Sequence, residues 1–359
     1  MITKEQVLGA LSSVMDPDLG KDIVTLGFIK DLSITGGNVS FTLELTTPAC
    51  PLKEKLESDS RAAVKGIPGV EEVAIRLTSN VPQHRAPSLT GERLLPQVKN
   101  FIAVASGKGG VGKSTVSANL ALALAEAGAS VGLLDADIYG PSIPIMMGVR
   151  EKPQIVDKKM VPHTKYGIKF MSLGFLMADD SPVIWRGPLV MQAVEQLLRD
   201  VVWGELDYLV IDLPPGTGDA QLTLTQKVPL SGAVIVTTPQ DVALIDAKKG
   251  LAMFQKVNVP VLGIIENMSY FQCPHCNERT EIFSHGGARA YSEQMGVPFL
   301  GEIPLEPAIR LGGDNGKPIF AAEPTSPQAA IFRSIAGAVA ARISIAERQK
   351  SEASESVEA

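Results

Sequence analysis

Eight consecutive residues, Gly107-Lys108-Gly109-Gly110-Val111-Gly112-Lys113-Ser114, restrict the fold of this 359-residue chain more than any other feature. They satisfy the pattern G-x-x-x-x-G-K-[ST]. An apolar run, Phe101–Ala105, leads into them, and a helical pattern through Leu120, Leu122 and Leu124 leads out. Between strand and helix, such glycines let backbone N–H groups converge on phosphate oxygens, and the helix N-terminus adds partial positive charge. Lys113 is then placed to meet the β and γ phosphates, Ser114 to ligate Mg²⁺, and Thr115 to reach the α phosphate of ATP or GTP.

A turn of this kind belongs in a mostly parallel sheet, and the surrounding pattern agrees. Short apolar runs at Val131–Leu134, Tyr208–Ile211, Ala233–Thr237, Val261–Ile265 and Phe299–Ile303 alternate with helical segments. The fold expected is α/β, a doubly wound, mostly parallel P-loop NTPase sheet over residues 99–346, ending in a helix over 331–346. Asp135, Asp137 and Asp212 fall at or just beyond strand C-terminal ends, where ligands of open α/β sheets bind. They suit the Mg²⁺ shell or the attacking water; each alone also suits a helix N-cap. Pro214-Pro215-Gly216-Thr217-Gly218-Asp219 reads as a phosphate-sensing switch or as a plain loop.

Before this sheet, helical spacing over residues 3–15, a hairpin of Phe28–Thr35 and Val39–Thr46, a helix after Pro51 and a strand at Val70–Leu77 predict a small α+β domain over 1–80. Proline, serine and glycine mark a linker over 81–98, and the polar, charged segment 347–359 reads as a disordered tail.

Lys plus Arg total 33 against 39 acidic residues, a net charge of −6, which argues against nucleic acid as a partner. The N-terminus lacks a signal-peptide apolar run, and the apolar stretch Leu120–Leu134 is too short and interrupted to span a membrane. Three cysteines make no disulfide framework, so the setting expected is a reducing cytoplasm. Two of them form Cys273-Pro274-His275-Cys276 in a polar loop. Zinc and cubane iron–sulfur sites usually take four ligands, and one chain offers two thiolates here. A two-fold dimer brings two such loops together at its axis. A shared metal or cluster site, zinc, a redox dithiol and unmetallated loop cysteines remain open, and His275 reads as a solvent-facing neighbour. The third, Cys50, precedes Pro51, which suits a first helical position; as N-cap, Cys50 is either a dipole-activated thiol or an ordinary cap.

With Lys108 included, the phosphate loop resembles the deviant Walker A motif of the MinD, ParA and nitrogenase iron protein superfamily. Leu134-Asp135-Ala136-Asp137-Ile138-Tyr139-Gly140-Pro141-Ser142, Ile211-Asp212-Leu213-Pro214-Pro215-Gly216-Thr217-Gly218-Asp219 and Cys273-Pro274-His275-Cys276 resemble one branch, the Mrp/ApbC iron–sulfur cluster carrier ATPases. Asp16-Pro17-Asp18 and Thr46-Thr47-Pro48-Ala49-Cys50-Pro51 resemble the MIP18-type module. This resemblance implies a slow ATPase acting as a homodimer with two nucleotides near its interface. It implies that Lys108 reaches the partner's nucleotide, that Asp137 orients water, that Asp135 and Asp212 serve Mg²⁺, and that Asn267 contacts adenine. It also implies a labile [4Fe–4S] cluster bridged by Cys273 and Cys276 of both subunits and passed from donors to apo-proteins, with Cys50 as a possible accessory thiol. The competing expectation is a positioning ATPase at a membrane or partner surface, with zinc or no metal at the cysteines.

Overall fold

Strands apolar on both faces must be covered by helices on both faces, and the computed structural model, which describes residues 2–84, 95–177 and 187–358, shows this arrangement. The chain separates into two compact units, Met1–Pro82 with Ala340–Ala359, and Gln83–Val339. In the first unit, α1 (Lys4–Leu11) opens with a capping box between Thr3 and Gln6. The hairpin is β1 (Ile29–Thr35) and β2 (Asn38–Leu45), turning through Gly36 at φ +63°. α2 (Lys53–Lys65) then returns the chain so that β3 (Glu72–Ser79) runs parallel to β2. Val7, Leu11, Phe28, Leu43, Leu56 and Val64 form the centre of its core.

The second unit is built on β4 (Val98–Ala105), α3 (Lys113–Glu126), β5 (Val131–Asp135), β6 (His163–Lys165), β7 (Ile168–Ser172) and α4 (Gly187–Arg199). It continues through β8 (Leu206–Asp212), α5 (Asp219–Lys227), β9 (Gly232–Thr237), α6 (Asp241–Lys256) and β10 (Val261–Asn267). α7 (Gly287–Met295), β11 (Phe299–Ile303), α8 (Pro307–Asp314) and α9 (Pro327–Glu358) complete it, the last entering both units. The strands form one sheet in the order β6-β7-β5-β8-β4-β9-β10-β11. Every pairing is parallel except β6 with β7. α3 is buried almost all round, from Val116 to Leu124, as a helix central to a covered sheet must be.

The six strands expected of this sheet are present. Missed from the sequence was the β6–β7 edge hairpin, whose turn places Tyr166 at φ +50° and Gly167 at φ +81°. Three of its residues are His163, Lys165 and Lys169, so it lacks an apolar run. The linker expected at 81–98 lies mostly outside the described residues. The disordered tail expected at 347–359 is corrected: α9 is helical to Glu358. Glu347-Arg348-Gln349-Lys350-Ser351-Glu352-Ala353 contains no glycine or proline and several strong helix formers, and extending a nucleated helix is far easier than starting one.

By length and composition, Pro327–Ser351 would suffice to cross a membrane. One face of it is instead inside the protein, with Phe332, Ile335, Val339 and Ile343 each at most 1% exposed. Phe332→Ala should therefore cost about 3–5 kcal/mol of unfolding free energy. Urea denaturation checks this, and a negligible loss would mean the helix is not docked as described.

Candidate functional site

Parallel pairing aligns the ends of three neighbouring strands, with Asp135 opposite Asp212 and Ser172 opposite Asp135. The glycine-rich loop leaves the end of adjacent β4 and delivers Lys113, the first residue of α3, above these carboxylates. Lys113 Nζ lies 2.8 Å from Asp212 Oδ1 and 3.4 Å from Asp137 Oδ2, with only 6% of its side chain exposed. Burial opposes its charge, but Asp212, Asp137 and Asp135 outweigh that and hold the ammonium above the ordinary lysine range. The Ser114 and Ser117 hydroxyls donate to Asp212 at 2.6 and 2.7 Å.

The loop has little freedom for side chains. Gly110 and Gly112 adopt φ +81° and +84°. A Cβ at Gly112 would stand 2.1 Å from Asn267 Nδ2, and one at Gly107 would stand 2.2 Å from the Asp246 backbone. Asn267 Nδ2 itself donates to the Val111 carbonyl at 2.8 Å. Beside these residues opens a cleft of about 340 Å³, lined by Gly112, Thr115, Asn267, Met268, Leu305 and Ile309 among others. Gly109 has open space where a Cβ would point. Lys108 is half-buried, and its Nζ donates to Gln240 Oε1 at 3.4 Å.

The three acidic residues play different parts. Asp135 is fully buried and accepts from the Asp137 and Ile143 N–H groups and from Ser172 Oγ, so it braces the loop after β5. Asp137 accepts from the Tyr139 and Gly140 N–H groups and faces Lys113. Asp212 alone contacts both Lys113 and Ser114. The loop after it is tied to the phosphate loop by Gly216 N–H to Ser106 O, 2.9 Å. Ser117, Ser172 and Gln240 were missed from the sequence. Ser117 follows Ser114 at helical spacing, but Ser172 and Gln240 are recruited by sheet order and left no local signal.

Cys273 and Cys276 sit in a turn between two short antiparallel strands, Phe271–Gln272 and Arg279–Thr280. Cys273 N–H donates to Glu278 O, and Asn277 N–H donates back to Cys273 O, both at 2.9 Å. The Cys276 and His275 backbone N–H groups, then the Cys276 side chain, lower the Cys273 thiol below its ordinary range. Cys276 is exposed, and Cys273 partly so. Nearby, Glu266, His285 and Glu302 offer ligand atoms within 4.8 Å of one another. Glu266 already accepts from Ser269 Oγ and the Gly286 and Ala288 N–H groups, so it serves as a cap for α7.

Cys50 departs from the expectation. α2 begins at Lys53 with Leu52 in the cap position, so Cys50 is not the N-cap. Burial pushes its thiol up, Asp16 and Asp18 add to the rise, and the Leu52 and Lys53 N–H groups only partly offset it. The Cys50-Pro51-Leu52 segment turns before the helix starts, which removes the dipole-activated thiolate.

Burial, then the Asp212 charge, pushes the Asp135 carboxyl from 3.8 up to about 7, against Ser172, Lys113 and the Asp137 N–H. A raised carboxyl binds its proton more tightly in the folded than in the unfolded state, so it costs stability as pH rises across this interval. Between pH 4 and pH 7 the urea resistance of nucleotide-free Asp135→Asn should therefore rise relative to that of the unaltered protein. Parallel profiles for the two proteins would show that Asp135 ionises normally.

Residues 97–340 match the family described as NUBPL iron-transfer P-loop NTPase, and residues 4–75 match a family described as iron-sulfur cluster assembly protein. The iron-sulfur cluster carrier protein of Synechocystis sp. is 52% identical over 354 residues, covering 96% of this chain and 99% of that protein. The iron-sulfur cluster transfer protein NUBPL of Dictyostelium discoideum is 54% identical over 265 residues, 73% of this chain and 82% of its own length. Among solved structures, the nucleotide-binding protein in complex with ADP from Archaeoglobus fulgidus is 42% identical with a TM-score of 0.57, covering 66% of this chain and 92% of that one. Pyrococcus furiosus MinD, at 23% identity and TM-score 0.51, shares the fold over 67% of this chain and 98% of its own. The chain belongs to the family of NUBPL-type iron-transfer P-loop NTPases.

Proposed function

We propose that this chain is a cytoplasmic, ATP-hydrolysing carrier of [4Fe–4S] clusters that works as a homodimer and passes its cargo to apo-proteins. One observation carries the reading: a buried lysine-carboxylate phosphate site and a two-cysteine hairpin whose backbone N–H groups favour the Cys273 thiolate occupy the same unit. The names of the relatives support the cargo, and the two-thiolate hairpin supports the dimer, since two copies supply the four ligands of a cubane cluster.

The cradle fits a nucleoside triphosphate. Gly107, Lys108, Gly109, Gly110, Val111, Gly112, Lys113, Ser114 and Thr115 hold the phosphates, and Asn267 faces the base in the adjoining cleft. Ser114 Oγ and the Asp212 carboxylate beside it form a hard-oxygen set suited to Mg²⁺, which neutralises phosphate charge when bound. In hydrolysis Asp137 orients the attacking water and Lys113 stabilises the charge on the transferred phosphoryl group. Lys108, held by Gln240 within its own chain, swings to the partner's nucleotide on dimerisation. Binding of ATP favours one dimer state over another and thereby governs cluster release.

Anaerobic reconstitution with iron and sulfide should give broad visible absorbance and about four irons and four sulfides per dimer. Cys273→Ala should lose both. Lys113→Ala should keep the cluster but slow its transfer to an apo-protein. Colourless protein, or protein holding zinc alone, would overturn the carrier reading, and unaltered transfer by Lys113→Ala would overturn the coupling to ATP.

A further inference from the structure

The cysteine hairpin and the phosphate loop are anchored to one strand end. Asn267, the last residue of β10, grips the phosphate loop at the Val111 carbonyl. Two residues later the Ser269 hydroxyl lies 2.7 Å from Glu266 Oε1 and 3.0 Å from Glu302 Oε2, while its N–H donates to Ile303 O at 2.9 Å. A hydroxyl has one proton, so Ser269 donates to one carboxylate at a time. Between Asn267 and Ser269, Met268 adopts φ +55°, a conformation that side-chain-bearing residues avoid, and it lines the cleft.

The far end of the network reaches the cysteines. Glu302 Oε2 is 2.7 Å from His285 Nε2 and 3.6 Å from the Arg279 guanidinium. Arg279 lies on the return strand of the hairpin, opposite Gln272, the residue before Cys273. Its guanidinium also covers the ring of Tyr270, the residue before the first hairpin strand, at 3.9 Å, so one side chain ties the return strand to the chain entering the hairpin.

We infer that the chain of contacts Met268-Ser269-Glu302-Arg279 couples nucleotide occupancy of the cleft to the cysteine hairpin, with Ser269, Glu302 and Arg279 as positioning residues for Cys273 and Cys276. The element with two arrangements is the Ser269 hydroxyl, which serves either Glu266 or Glu302. A nucleotide that shifts Asn267 or Met268 changes that choice. Glu302 then tightens or loosens its hold on Arg279, and the thiols change their exposure. This inference rests on the reading of the hairpin as the cluster-holding loop.

The test uses the full chain without cluster. Alkylation of Cys273 and Cys276 by iodoacetamide is followed by peptide mass spectrometry, with no nucleotide and with saturating Mg-ADP or a non-hydrolysable ATP analogue. In the unaltered protein the rates should differ by about fivefold or more between the two states, the lower end of ordinary coupling. Ser269→Ala and Arg279→Gln should bind nucleotide as before but lose the difference. Arg279 is 41% exposed, so its replacement leaves the fold intact if the buried Ser269 variant does not express. Nucleotide-independent rates in the unaltered protein, or a full difference retained in a nucleotide-binding variant, would overturn the inference. A chain that takes no cluster yet shows the difference, abolished in the variants, would overturn the carrier reading and uphold the coupling.

Discussion

The organisation of the second unit follows from the charge balance around Lys113. Parallel strands in the order β7-β5-β8-β4 bring Asp135 and Asp212 side by side, and Asp137 follows within the same space. Three carboxylates so close in a poorly hydrated interior repel strongly, and removing one partner of a buried ion pair typically costs several kcal/mol. One ammonium reaches them because the glycine loop folds back over the strand ends and starts α3 at Lys113. The remaining excess charge is handled locally, by the serine hydroxyls on Asp212 and by the raised carboxyl of Asp135.

That balance also explains why such a site needs further cations. A triphosphate adds negative charge where one lysine already faces three carboxylates. In the proposed function, magnesium at Ser114 and a second lysine supply that neutralising charge. Lys108 is close by yet is held by Gln240 Oε1, a neutral acceptor. A weak neutral bond releases a lysine more readily than a buried ion pair does.

The phosphate loop, the six strands around it and the acidic strand ends were legible because each rests on local chemistry: glycines at left-handed φ, apolar runs covered on both faces, and aspartates at strand ends. What escaped depends on distant partners. Ser172 becomes important only because β7 lies beside β5, and Gln240 only because the end of β9 lies beside the phosphate loop. The helical extension of α9 escaped because composition alone read the tail as solvated coil, while an already formed helix extended into it. The Glu266, Ser269, Glu302 and Arg279 network escaped for the same reason as Ser172, since β10 and β11 meet only in the sheet.

The three cysteines show how backbone placement sets thiol chemistry. Cys273 is partly exposed, and two turn N–H groups point at its sulfur, which stabilises the thiolate, the form that binds metal and attacks electrophiles. Cys50 also receives backbone N–H groups, but it is half-buried beside Asp16 and Asp18, and those effects dominate. At neutral pH it is a protonated thiol. The turn therefore favours the thiolate at Cys273, whereas burial and two carboxylates favour the thiol at Cys50.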